Sequence, residues 1–302
     1  MGTNFWLEAG GTKYFLRKYR PYGLERIQEI HAAKDHFSKK GIPVIAPIRT
    51  RENATFFEWE GSHYALFPFV KAKEMTRETL NDTQLRNLGT FLADLHLAGK
   101  EPFDAVRETE HPWSKEKFYK RLQRVLDHVA AKPEKDAFDE AVLQKLAVQS
   151  ALVGENTHAY GTRYPYHLTH NDYHVNNIFF SPDDEVSHIF DWEKTQWGTR
   201  ARELARALEL LASDTEFDDE SFRKAGLLLG AYNDRYPISA EELEDGVRKR
   251  ILGSLHAVWI EEEHYFNGNN RADELLARED MRIRYYRDHF DEYVATLARN
   301  LQ

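Results

Sequence analysis

His170-Asn171-Asp172-Tyr173-His174-Val175-Asn176-Asn177-Ile178, completed downstream by Ile189-Phe190-Asp191-Trp192-Glu193, is the stretch around which the rest of the chain can be ordered. Val175 to Phe180 and Val186 to Phe190 are short apolar runs. Ser181-Pro182-Asp183-Asp184 between them reads as a turn, because proline presets φ and aspartates bond their own backbone. The spacing therefore predicts a hairpin that folds Asn177 and Asp191 toward one mouth, with Asp172 in the loop that enters it. Loop Asp and Asn residues commonly close turns or cap helices, so Asp172 alone carries little weight. Two carboxylates and an amide converging on one mouth form a chemical set.

Phosphoryl transfer requires such a set. It uses a carboxylate to orient the attacking hydroxyl and accept its proton, and hard oxygen ligands for a Mg²⁺ that bridges phosphates. Asp172 suits the first role, and Asn177 with Asp191 the second.

Outward from the hairpin the period changes. Leu85, Leu88, Leu92 and Leu95 share one helical face, as do Phe118, Leu122, Val125 and Val129, then Phe138, Val142 and Leu146. Further helices are expected over Ala201 to Leu211, Ser221 to Tyr232, Ala240 to His264 and Asp280 to Leu301. The first seventy residues read differently. Asn4 to Glu8 and Lys13 to Tyr19 flank Ala9-Gly10-Gly11-Thr12, a hairpin signal because glycine accepts positive φ. A helix from Leu24 to Phe37 stops at Gly41, and strands are expected over Pro43 to Ile48, Thr55 to Trp59 and His63 to Val70. The expected organisation is α+β and bilobal: residues 1–70 as a small antiparallel sheet lobe with one helix, 71–79 as a connection, and 80–302 as a larger, mainly helical lobe holding the hairpin.

Composition narrows the function classes. Cysteine is absent, which excludes disulfides, thiolate metal sites and a cysteine nucleophile. A net charge of -9 argues against binding along nucleic-acid phosphates and tolerates a cationic small substrate. The apolar runs are too short to span a bilayer, no signal pattern opens the chain, and a cytoplasmic location is expected.

His170-x-Asp172-x-x-x-x-Asn177 followed by the apolar-flanked Asp191-Trp192 resembles the signature of the aminoglycoside phosphotransferase and choline kinase superfamily, relatives of the protein kinases. Tyr14-Phe15-Leu16-Arg17-Lys18-Tyr19 is similar to the family's cation-bearing third strand, Gly41-Ile42-Pro43-Val44 to its post-helix turn, and Phe67-Pro68-Phe69-Val70 to its hinge. The resemblance extends to Leu88-Gly89 with Leu92-Ala93-Asp94-Leu95-His96, and to Arg202-Glu203-Leu204-Ala205. It implies a protein-kinase-like fold and transfer of the ATP γ-phosphate to a hydroxyl of a small acceptor, aminoglycoside-, choline-, homoserine- or sugar-like. Asp172 would be the catalytic base, His170 the orienter of its loop, and Asn177 and Asp191 the Mg²⁺ ligands. Backbone groups of Pro68, Phe69 and Val70 would meet the adenine. Arg17 or Lys18 would reach the phosphates, and strand alternation sends the two to opposite faces. The resemblance favours Arg17.

Two departures accompany this resemblance. A phosphate-covering strand and loop would precede Asn4, where the sequence has only Met1, Gly2 and Thr3. Glu25 and Glu29 both lie on the first helix, and neither falls cleanly on the position that pairs with the strand cation. The alternatives are a weakly active or inactive kinase-like binding protein and a protein Ser/Thr kinase of the stress-response type. The resemblance implies an acceptor held against the helical lobe near Asp191, which makes Trp192, Glu193, Trp259, Glu262 and Tyr265 candidates; within Ala257 to Tyr265 an indole, a phenol and carboxylates suit a polyol or a cation over an aromatic face.

Overall fold

The structure, a computed structural model, describes residues 3–19, 23–71, 75–110, 113–155 and 163–301. The expected opening hairpin is present as β1 (Thr3–Ala9) and β2 (Thr12–Lys18), turned by Gly10 and Gly11 at φ 57° and 74°. β3 (Phe57–Trp59) and β4 (Ser62–Pro68) complete an antiparallel sheet of order β1-β2-β4-β3. α1 (Leu24–Lys39) packs on it through Ile27, which joins Tyr19, Ile45, Ala65 and Phe67 in a small core. Of the connection expected at 71–79, residues 72–74 lie outside the described set.

Pro43 to Ile48 does not form the expected strand. Val44 makes a single parallel bridge to Ile189, whose N–H donates to the Pro43 carbonyl at 2.9 Å. Pro43 and Pro47 have no N–H to give, so no ladder can run through the segment. It ties the sheet lobe to the strand that ends at Ile189 instead.

The large lobe contains α2 (Asp82–Ala98), α3 (Lys115–Ala130), α4 (Ala137–Glu155), β5 (Tyr166–Thr169), β6 (Ile178–Phe180), β7 (Val186–Ile189), β8 (Gln196–Thr199), α5 (Arg200–Leu208), α6 (Asp219–Arg235), α7 (Ala240–Leu255), α8 (Trp259–Asn267) and α9 (Glu274–Ala298). β6 and β7 are the expected hairpin, with Ile178 opposite Ile189. Val175 to Asn177 is a 3₁₀ turn that enters β6. β8, too short to show alternation, was not expected and pairs antiparallel with β5.

The leucine stripe of α2 is buried with Leu204, Leu208, Leu228 and Leu229. A Cβ on Gly89 would lie 2.1 Å from the Leu228 carbonyl, so α2 and α6 meet backbone to backbone, a contact only glycine permits. Gly246 plays the same part between α7 and Ala201 of α5.

Ala240 to His264 is two helices rather than one. Between Leu255 and Trp259, α4 inserts Gln149, whose Nε2 lies 3.1 Å from the carbonyls of Ser254 and Ala257, and Lys145, whose Nζ donates to Glu261 at 2.7 Å. These donors satisfy carbonyls that a helix end leaves open. α9 is kinked at His289 (φ -132°, ψ 20°). Among the described residues no helix is long and apolar enough to cross a membrane.

Candidate active site

The β6–β7 register delivers the expected convergence. Phe190 N–H donates to the Asn177 carbonyl at 2.8 Å, so Asn177 and Asp191 emerge at the same end of the hairpin. Asp191 sits at φ 53°, ψ 69° and Asn171 at φ 60°, both left-handed, a region that Asp and Asn tolerate better than other side chains.

His170 fixes the loop. Its buried ring donates from Nε2 to the Phe190 carbonyl at 2.7 Å and accepts the Asp172 N–H at Nδ1 at 3.2 Å, which defines one neutral tautomer. Burial pulls its pKa down, in keeping with that state. Asn177 donates from Nδ2 to the Asp172 carbonyl at 2.9 Å and to His174 Nε2 at 3.1 Å. Both amide hydrogens are thereby used, and neither bond involves Oδ1.

Asp172 takes Lys194 at 2.9 Å and Arg206 at 2.8 Å, both on Oδ1, and its Oδ2 lies 3.7 Å from His174 Nε2. Burial alone would raise this carboxyl, but His174, Arg206 and Lys194 outweigh it and hold the group well below the usual carboxylate range. Lys194 and Arg206 both leave Oδ2 aside.

Beneath the loop, the buried Glu203 accepts N–H bonds from His170 (3.2 Å) and Asn171, and a third from His96 Nε2 at 3.0 Å. Burial disfavours its charge, yet the donors keep its pKa below normal.

β2 alternation sends Arg17 inward and Lys18 outward, where Lys18 Nζ lies 5.8 Å from the Tyr64 ring. Arg17 donates from Nε to Glu193 at 2.8 Å and from Nη2 to Asp191 at 3.2 Å, and Nη1 takes part in neither contact. Neither helical glutamate pairs with it. Glu25 is exposed, and Glu29 holds Arg26 at 3.0 Å and the Arg107 N–H at 3.0 Å. Arg26 instead secures the loop that follows Asp191, donating to the carbonyls of Glu193 (2.8 Å) and Thr195 (2.7 Å). α1 also buries Lys34, its Nζ 4.3 Å from the Phe67 ring, with a pKa pushed down to about 7 by burial and then by Arg17.

An apolar cavity of about 200 Å³ lies at the hinge, walled by Trp6, Phe15, Phe69, Val70, Phe179 and Phe190. Phe69 N–H is spent on the Lys13 carbonyl at 3.3 Å, and Pro68, closing β4, is outside the lining. On the other side of the catalytic loop a cleft of about 440 Å³ is lined by Trp113, Lys117, Arg121, Asn171, Arg202 and His256 among others.

The acceptor candidates are placed differently from the expectation. Trp192 is buried against Phe37 and His170, at centroid distances of 4.7 and 4.8 Å, so its indole is core. Glu193 serves Arg17. Trp259 is exposed and does not line the cleft, Tyr265 donates to Asp139 at 2.7 Å, and Glu262 grips Arg121 at 3.0 and 2.6 Å. The aromatic-acidic segment thus lies outside the cleft, bracing it from behind through Glu262. Sequence reading missed Lys194 and Arg206, and gave Arg202 and Glu203 no role beyond their place in the resemblance. The arginines at i and i+4 directly after the Asp191 loop were the available signal.

A sheet lobe with an apolar pocket at its hinge, set over a helical lobe with Asp172, Asn177 and Asp191 at one mouth, is the architecture of a kinase-like phosphotransferase. The chain belongs to the phosphotransferase enzyme family (APH), whose profile matches residues 2–238. It is 27% identical over 254 residues to a homoserine kinase of Caulobacter sp. (strain K31), covering 80% of this chain and 71% of that one. In fold it is similar to a spectinomycin phosphotransferase solved with ADP and spectinomycin (TM-score 0.66, 16% identity, 99% of this chain and 89% of the other). A microcompartment-associated aminopropanol kinase is also similar (TM-score 0.62, 16% identity, 95% and 90%).

Proposed function

We propose that the protein transfers the γ-phosphoryl group of ATP to the hydroxyl of a small-molecule acceptor. The observation that supports it best is the hydrogen-bond economy beside Asp191, which puts Lys194 and Arg206 on Asp172 Oδ1 rather than Oδ2 and spends Asn177 through its amide hydrogens rather than Oδ1. In this reading the adenine enters the pocket at Phe69 and Val70, with the Val70 amide as the hinge N–H that meets the base. Arg17 stays on Glu193 and offers Nη1 to the phosphates, while Lys18 faces away from them.

The donor set suits a hard cation: one amide oxygen and one carboxylate, with room for waters. Asn177 and Asp191 would hold Mg²⁺, which when bound would supply positive charge against that of the phosphates. Asp172 orients the acceptor hydroxyl through Oδ2. A carboxylate held this acidic does not take the proton ahead of transfer, and receives it as the new O–P bond forms. The bond between the β,γ-bridging oxygen and Pγ breaks, ADP leaves, and the proton passes from Asp172 to solvent. Lys194 and Arg206 keep Asp172 ionised and in place.

The test is coupled ADP release with L-homoserine, ethanolamine, 1-amino-2-propanol and spectinomycin, alongside calorimetric titration of AMP-PNP with and without Mg²⁺. Mg²⁺-dependent nucleotide binding and acceptor-dependent ADP release are expected. A protein that binds no nucleotide in either condition refutes the reading.

A further inference from the structure

The apolar cavity at the hinge is closed on one side by a residue that packing does not account for. Phe15, Ile45, Phe69, Val70, Phe179 and Phe190 are buried or half-buried walls, whereas Trp6, which lines the cavity from β1, is 68% exposed. Its indole leans on Phe69, ring centroids 4.7 Å apart, with the planes tilted by 39° rather than stacked. An isolated exposed apolar residue means little, but this one continues the wall of an apolar cavity.

The strand register fixes where Trp6 points. Trp6 stands opposite Phe15 and Asn4 opposite Arg17, and residues directly opposite in an antiparallel pair share a face. The cleft side of the hairpin thus carries Trp6 and Phe15 in one row, with Asn4 and Arg17 two residues, about 6.8 Å, along. Phe15 meets Phe190 edge-on at 5.2 Å, and the Arg17 guanidinium lies 5.5 Å from the same ring while donating to Asp191. The first row belongs to the apolar cavity and the second to the charged groups beside it. That is the order in which a nucleotide presents base and phosphates.

The cavity, about 200 Å³, has room for one fused bicyclic base but offers no side chain to read that base's edge. Among the described residues lining it, Asn4 is the only amide and none is charged, and Asn4 stands in the Arg17 row. Phe69 N–H is spent on the Lys13 carbonyl at 3.3 Å. A Val70 N–H donor is met by adenine N1 or by guanine O6, both acceptors. Stacking tolerates any base, because every base has a π-face, whereas discrimination needs polar groups that the wrong base leaves unpaired.

We propose that Trp6 closes the cavity over the nucleobase and that the site accepts guanine as well as adenine nucleotides as phosphoryl donors. This rests on the phosphotransfer reading and adds the donor's base specificity. With GTP the same bond breaks, between the β,γ-bridging oxygen and Pγ. GDP leaves with the bonding pair, the acceptor oxygen bonds to Pγ, and its proton leaves through Asp172.

The test is calorimetric titration of AMP-PNP and GMP-PNP, each with Mg²⁺, into the full chain. Their dissociation constants are expected to differ by less than about tenfold, the worth of one neutral hydrogen bond. Trp6→Ala, at an exposed position, is expected to weaken both by about 10- to 100-fold, and Trp6→Phe to recover most of that loss. Of the six tryptophans, Trp6 is the one that lines this cavity. Quenching of indole fluorescence by either analogue is therefore expected in the wild type and should disappear in Trp6→Phe while binding persists. A preference above about tenfold for one analogue overturns the proposal. So does unchanged affinity in Trp6→Ala, and both results leave phosphotransfer standing. Binding of neither analogue by the wild type would refute the two readings together.

Discussion

Glu203→Gln isolates the support under the catalytic loop. The carboxylate accepts three N–H groups on its two oxygens, from His170, Asn171 and His96. Glutamine is isosteric but offers one oxygen and one NH₂, so in either orientation an amide donor faces another donor in a fully buried site. Hydrogen bonds to a charged group contribute about 1.5–3 kcal/mol each, and one or two are lost. Removal of a buried charge returns part of that, leaving a net destabilisation of about 2–4 kcal/mol. With an unfolding entropy of about 2.1 cal/mol/K per residue over 302 residues, Tm should fall by about 3–6 °C. Because His170 and Asn171 carry Asp172, a shift of their backbone should also lower kcat, by about 100-fold, with little effect on nucleotide affinity. Differential scanning fluorimetry reads the first effect. Amide exchange of the peptide 166–178 reads the loop directly and needs no acceptor. Wild-type Tm together with unchanged exchange at His170 and Asn171 would refute the claim that Glu203 holds this loop.

Asp172→Asn should reduce phosphoryl transfer by about 10²- to 10⁴-fold while AMP-PNP binding stays near wild type, and turnover at the wild-type rate would remove Asp172 from the mechanism. Asp191→Ala should weaken Mg²⁺-dependent nucleotide binding more than Asn177→Ala, since it removes a full charge; an unchanged Mg²⁺ dependence would place the cation elsewhere. His31 and His167 are buried and held neutral, each pKa pushed down to about 3. Below about pH 6.5 the unfolded chain therefore binds more protons than the native one. Stability should fall as pH drops from about 6.5 toward 3, by up to about 1.4 kcal/mol per pH unit for each histidine. Urea midpoints that stay level between about pH 7 and 5 would contradict this.

The local features were legible because they depend on neighbours in sequence. The glycine turn of β1–β2, the leucine stripes of α2 and α3, and the turn that makes Asn177 and Asp191 meet are all set within a few residues, by φ preference and by period. Where a residue's behaviour depended on a distant partner, sequence was silent or misleading. Arg17 finds Glu193 across 176 residues rather than a glutamate on α1, and Ala240 to His264 breaks because Lys145 and Gln149 arrive from α4.

Charge shows the same division. The sequence by itself determined the β6–β7 hairpin and that Asn177 and Asp191 emerge at one end of it, since spacing along two short strands suffices for that. It also determined the net charge of -9, but not where the positive charges stand. Only the tertiary structure decided that Arg202 and Lys117 line one cleft of about 440 Å³ while Glu262 pairs with Arg121. Net charge is a sum over the chain, whereas recognition depends on the few charges that packing leaves facing one cavity without a partner.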